Sequence, residues 1–145
     1  MSTFTASAHP ADGLRHEIDV NGRHTIFTDE PRRLGGTDTA PTPHELLAAM
    51  LAACASTMVT IYARRHGWPL DDLRVDVAYD ADTTPRRASI TLHLPSALSA
   101  DQVERLRRVA ETCPARRALE AGFEFDETLI PAAAPTPPLS PAATR

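Results

Sequence analysis

The groups in this chain able to carry chemistry are two thiols, a histidine next to a glutamate, and a scatter of arginines. Cys54 lies in TPHELLAAMLAAC, nine residues after Glu45, and Cys113 lies in AETCPARRAL. A lone cysteine in an Ala/Leu segment is ordinarily a small buried hydrophobe, so any function has to come from its neighbours. Metal binding fits poorly. The cysteines are 59 positions apart, and neither has a second thiol or histidine at the short spacings zinc sites use. His16 and His24 fall on one expected hairpin, but nothing else marks them as ligands. Acyl-transfer chemistry needs a histidine base beside the thiol. His44 precedes Cys54 by ten residues, roughly 15 Å along a helix axis, which is too far for direct proton transfer.

Thiol redox chemistry asks for less: two sulfurs that can meet, one of them ionised, and a cation nearby. Cys113 precedes Pro114 and should cap the next helix, whose free N–H groups would favour a thiolate there. Cys54, in mid-helix, has no such help from its own position. An arginine would have to fold against it, and the N-terminal hairpin carries two candidates, Arg15 and Arg23.

The elements that must position these groups are written plainly. LRHEIDV and RHTIFT flank Asn21-Gly22, a dipeptide suited to a two-residue hairpin turn, and an earlier strand is expected near residues 3–8. DEPRRLGGTDTAPTP is a turn-rich loop. Thr42, Pro43 and Glu45 then form a helix start with a capping box. Arg64, Arg65, His66, Gly67 and Pro69 form its stop. Between Glu45 and Arg64 lie 18 uncharged residues, long enough for a membrane span. The segment is rich in alanine and serine and is surrounded by short strands, which favours instead a central helix buried on most sides, whose alanines would let a second helix approach closely.

LRVDVAY and RRASITLHLP alternate as a second hairpin over DADTTP. Ser99 and Gln102 open another capped helix, with Val103, Leu106, Ala110 and Cys113 on its inner face. Pro114 restarts a helix that Gly122 can end, and FEFDETLI reads as a last strand. The fold class is α+β, with antiparallel strands around a long buried central helix. One domain over residues 1–130 is expected, followed by a Pro/Ala-rich disordered tail over residues 131–145.

The 145 residues suit a single core. The net charge is −4, and all 15 basic residues are arginine. The acidic balance argues against nucleic acid as the main partner, and the lack of lysine removes lysine Schiff bases and the phosphate-loop lysine. In MSTFTASAHPADGLRHE no basic region is followed by an apolar stretch, so no signal peptide is expected and the chain reads as cytoplasmic, with no membrane partner. In a reducing compartment the two cysteines read as free thiols or a redox pair.

The residues DEP, LGGTDTAPTPHELLAAMLAAC, STMVTIYARRHGWPL and AETCPARRAL, in this order, resemble the OsmC/Ohr family, the osmotically inducible protein C and organic hydroperoxide resistance proteins. The resemblance covers roughly residues 14–130. It implies an intertwined homodimer with its long helices packed together and its active sites at the subunit interface, working without a cofactor. It also implies reduction of organic hydroperoxides, with Cys54 as the peroxidatic thiol, Cys113 as the resolving thiol, and an external dithiol reducing the disulfide. An arginine from the N-terminal strands and a glutamate at the helix start complete the family's site; here Arg15 and Glu45 are the matching candidates.

The chain departs from the hydroperoxide branch in three places. No arginine sits in that branch's double-glycine context, so Arg15, with Arg23 behind it, is the nearest candidate. His44 stands where that branch has its glutamate, and Glu45 is turned about 100° away around the helix. CPAR replaces the more usual CPVH, so Arg116 stands at a common histidine position. The P-x-E-L form is more like the generic OsmC-like branch. The alternative activity is a thiol sensor or ligand-binding dimer that turns over no peroxide, and a third reading leaves both thiols buried and inert.

Overall fold

The turn at Asn21-Gly22 forms as its composition demands, with φ of 55° and 63°, and the Gly22 N–H donates to the Asp19 carboxylate at 2.7 Å. It joins β2 (Arg15–Val20) to β3 (His24–Thr28), and β1 (Ala6–Asp12) pairs on the other side of β2. All pairings in this three-stranded sheet are antiparallel, with Ile18 opposite Ile26 and Ala8 opposite Ile18. The first strand thus runs later than the expected residues 3–8. A computed structural model describes residues 3–131 of the chain, so nearly all of the expected disordered tail lies outside the described residues.

Helix α1 (Pro43–His66) begins and ends where its signals place it. Thr42 accepts the Glu45 N–H at 3.2 Å, and the Glu45 carboxylate accepts the Thr42 N–H at 2.7 Å, which completes the capping box. Gly67 closes the other end at φ 68°, with its N–H on the last carbonyls. By length and composition this helix could also cross a membrane. In the fold it buries Leu51, Ala55, Val59 and Ala63, one stripe spaced four residues apart. The opposite stripe, Ala49, Ala53, Thr57 and Ile61, is exposed. Burial on most sides is therefore not reached within one chain.

Strands β4 (Arg74–Asp80) and β5 (Arg87–His93) form the second hairpin, paired from Arg74 opposite His93 to Asp80 opposite Arg87. Their inward residues, Val75, Val77, Tyr79, Ile90 and Leu92, are half-buried. Helix α2 (Ala100–Glu111) starts at the Ser99–Gln102 capping box, and α3 (Pro114–Ala121) follows at once. Leu106 and Ala110 of α2 pack on Val59 and Ala63 of α1, with Leu92, Leu94 and Trp68 around them. Complete burial of a leucine such as Leu106 stabilises by roughly 1.5–3 kcal/mol. Val103 was expected on this inner face but is exposed, because it lies a turn nearer the open helix start.

The expected last strand does not form. Phe123 to Ile130 has no strand partner among the described residues, and Phe125, Leu129 and Ile130 are each more than 80% exposed. A strand needs an edge to pair with, and this chain brings none to the segment. No residue of β1, β2 or β3 enters the core cluster either.

Candidate active site

Cys54 is carried on α1 one residue before the buried Ala55, so its sulfur leans toward the α2–α3 junction. Cys113 sits in that junction as the residue before α3. Its N–H donates to the Ala110 carbonyl at 3.2 Å, and its carbonyl accepts the Arg117 N–H at 3.0 Å, which fixes its backbone. The result is two free thiols close enough for Cys113 to perturb the ionisation of Cys54, with Cys113 wholly buried and Cys54 half-buried. Spacing alone could not bring them together; the packing of α2 and α3 on α1 does.

The ionisation pattern differs from the sequence expectation. Cys113 occupies the cap position of α3, but its side chain makes no capping hydrogen bond. The N–H of Ala115, in the first turn of α3, lies near the sulfur of Cys54 and favours its thiolate. The helix start thus serves the other cysteine, a role the Cys-Pro signal could have revealed only with the packing known. Burial and the neighbouring Cys113 thiol outweigh that N–H, and the Cys54 pKa is pushed above the ordinary thiol value. No arginine takes part in this balance.

Arg15 is brought elsewhere. Its Nη1 donates to Thr39 Oγ1 at 2.7 Å, and its guanidinium lies 4.4 Å over the Phe27 ring. Glu45 is occupied by the capping box, which holds its carboxyl below the ordinary range. His44 stacks on Tyr79 with ring centroids 5.8 Å apart. Arg116 pairs with Glu120 at 2.7 Å. Of the four expected site residues, then, one chain joins Cys54 to Cys113 and leaves Arg15 and Glu45 in other contacts. Thr39 and Phe27, which hold Arg15, carried no sequence signal of that role. Among the described residues no group of three or more His, Cys, Asp or Glu side chains is arranged to hold a metal ion.

A cavity of about 1320 Å³ opens between the β4–β5 hairpin and α2–α3, lined by Leu47, Leu51, Tyr79, Ile90, Ala110 and Leu119 among others. Leu51 and Ala110 stand one helical turn from Cys54 and Cys113, but neither sulfur lines the cavity.

The fold and the paired thiols can now be set beside known proteins. No curated protein matches the chain. An organic hydroperoxide resistance protein OsmC from Legionella pneumophila is similar in structure, with 27% identity over 82% of this chain and 90% of that one and a TM-score of 0.61. An OsmC-like protein from Mycoplasma pneumoniae shares the fold at 18% identity, covering 82% and 88% of the two chains with a TM-score of 0.68. An organic hydroperoxide resistance protein from Elizabethkingia anophelis does so at 20% identity, covering 81% and 87% with a TM-score of 0.59. The family model described as OsmC-like protein matches residues 36–128, which hold both cysteines and the helix between the two sheets. The chain belongs to the OsmC-like protein family.

Proposed function

We propose that the chain is a homodimeric thiol peroxidase that reduces organic hydroperoxides at Cys54. The observation that carries this reading is the asymmetry of the two neighbouring thiols: Cys54 is partly accessible and Cys113 is sealed. A peroxide can reach only the first, and the second is placed to resolve what forms there.

In the first step the Cys54 thiolate attacks the distal peroxide oxygen. The O–O bond breaks, a proton goes to the departing alkoxide, and an alcohol leaves while Cys54 becomes a sulfenic acid. The Cys113 thiolate then attacks that sulfur, hydroxide leaves and is protonated to water, and a Cys54–Cys113 disulfide forms. An external dithiol reduces it by exchange. The Ala115 N–H stabilises the attacking thiolate and the sulfenate that follows.

The homodimer is supported by what one chain leaves uncovered. Among the described residues, the small-residue stripe of α1 and most of the segment from Phe123 to Ile130 are exposed, and the N-terminal sheet adds nothing to the core cluster. Among the described residues no cation contributes to the ionisation of Cys54. Arg15 of a second copy, borne on the N-terminal sheet, is the group that would supply it. Glu45 acts first as the helix cap in this reading.

One observation favours a second reading. A thiol with a raised pKa and His44 in place of a carboxylate suit a sensor that is oxidised once and does not cycle. Multiple turnover separates the two. Steady consumption of cumene hydroperoxide with excess dithiothreitol, abolished in Cys54→Ser, supports the enzyme; a single stoichiometric oxidation supports the sensor.

A further inference from the structure

The loop from β3 to α1 is tied by one carboxylate. Asp29 is 1% exposed, and among the described residues its hydrogen-bond donors are backbone N–H groups and threonine hydroxyls. Its Oδ1 accepts the Glu30 N–H at 2.8 Å. Its Oδ2 accepts the Thr37 N–H at 3.2 Å, the Thr37 hydroxyl at 2.6 Å, the Thr39 N–H at 3.1 Å and the Thr39 hydroxyl at 3.1 Å. Only an ionised carboxylate offers that many acceptor sites. Those donors, the Thr37 hydroxyl foremost, hold the Asp29 pKa far below the usual carboxylate range. The backbone closes tightly over it. The Asp38 N–H donates to the Glu30 carbonyl at 3.2 Å, and a Cβ on Gly36 would stand 1.8 Å from that carbonyl oxygen.

The count of protons gives this knot a direction. The Thr37 hydroxyl gives its hydrogen to Asp29 at 2.6 Å, and the Thr39 hydroxyl, 3.0 Å from Thr37 Oγ1 and 3.1 Å from Asp29 Oδ2, turns its one hydrogen toward those two acceptors. Its lone pairs are left facing Arg15, whose Nη1 donates to them at 2.7 Å. Phe27 closes one face of the guanidinium. From this geometry we infer that Asp29, acting through Thr39, is the positioning residue of Arg15, so that the β3–α1 loop is a working part of the thiol site. The inference rests on the reading above in which Arg15 serves a Cys54 thiolate. In that reading the same loop runs directly into Thr42 and α1, so the placement of Arg15 and the start of the cysteine-bearing helix are set by one segment.

The test is a matched pair at residue 39 in the reduced full-length protein, following Cys54 by its rate of alkylation with iodoacetamide and its rate of oxidation by cumene hydroperoxide. Thr39→Val keeps the backbone bond and the shape but removes the hydroxyl. It should slow both reactions by about tenfold, the scale of one hydrogen bond to a charged group. Thr39→Ser, which restores the hydroxyl, should return both rates to within about twofold of wild type, a rescue that a purely structural role would not require. Arg15→Ala should slow both at least as much, and Thr39→Val should add nothing in that background.

Asp29→Asn should behave like Thr39→Val; if it fails to fold, the residue 39 pair decides. Slowing by Arg15→Ala with no effect of Thr39→Val would overturn the positioning role and leave the reading of Arg15 standing. Unchanged rates in Arg15→Ala would overturn both. The expected alkylation pattern in a protein inert to peroxide would support the positioning role and sink the peroxidase.

Discussion

Between Pro43 and Ala121 the chain buries Val59, Ala63, Leu106 and Ala110 against one another, whereas between Ala6 and Thr28 three paired strands add no residue to that core. The first region carries both cysteines, and the second carries Arg15. Three antiparallel strands hold their register through backbone hydrogen bonds and one good turn, but a sheet with open faces gains little from burial. In the function proposed above, the sulfur half of the site is finished within one chain, while the cationic half is mounted on a sheet that adds no residue to its core. Packing and the proposed function divide at the same place.

The largest effects are expected at the two cysteines. Cys54→Ser should lose all peroxide reactivity, and Cys113→Ser should stop at a sulfenic acid that dimedone traps in a mass spectrum. Next comes the core itself. Leu106→Ala should cost roughly 2–5 kcal/mol in urea unfolding, since that side chain is wholly enclosed. Ile26→Ala, 40% exposed in one chain, should cost well under that unless a second copy covers it; a loss comparable to that of a core site would locate the missing partner on this sheet. On the exposed stripe of α1, Ala53→Arg should reduce the mass measured by light scattering to that of one chain. It should also slow Cys54 alkylation, because Arg15 would then be lost to the site.

Smaller effects check the local chemistry. Thr42→Ala removes the cap of α1 and should cost about 1 kcal/mol. Glu104, held by Arg107 and then Arg108, has its pKa depressed from 4.5 to about 2. A depressed carboxylate binds fewer protons folded than unfolded, so its stabilising contribution is complete above the ordinary value and disappears as pH falls toward about 2. Glu104→Gln should therefore lower the melting temperature slightly at neutral pH. The difference should close in acid and shrink in salt, since these side chains are about half exposed.

Much of the frame was legible in the residues because its signals are local. Asn21-Gly22, Thr42-Pro43-His44-Glu45, Gly67 and Ser99 with Gln102 each specify a backbone event within four residues, and each event occurs. Alternation at Val75, Val77 and Tyr79 likewise needs no distant partner. What was hidden depends on tertiary contact. The α3 N–H groups were assigned to Cys113 by adjacency, but they reach Cys54 because α3 docks beside α1. The alternation in FEFDETLI is that of a strand, yet pairing requires an edge that one chain does not offer. Asp29 reads as part of a turn-rich loop, and nothing in its spacing announces that Thr37 and Thr39 fold back to bury it.

In the proposed function two neighbouring thiols, one half-buried and one sealed, work as a redox pair. Its most direct test is to treat the fully reduced protein with one equivalent of cumene hydroperoxide, count the remaining thiols, and map the product by peptide mass spectrometry. Loss of both thiols and a single intrachain Cys54–Cys113 disulfide are expected. Two intact thiols after treatment of the native protein would contradict the proposal.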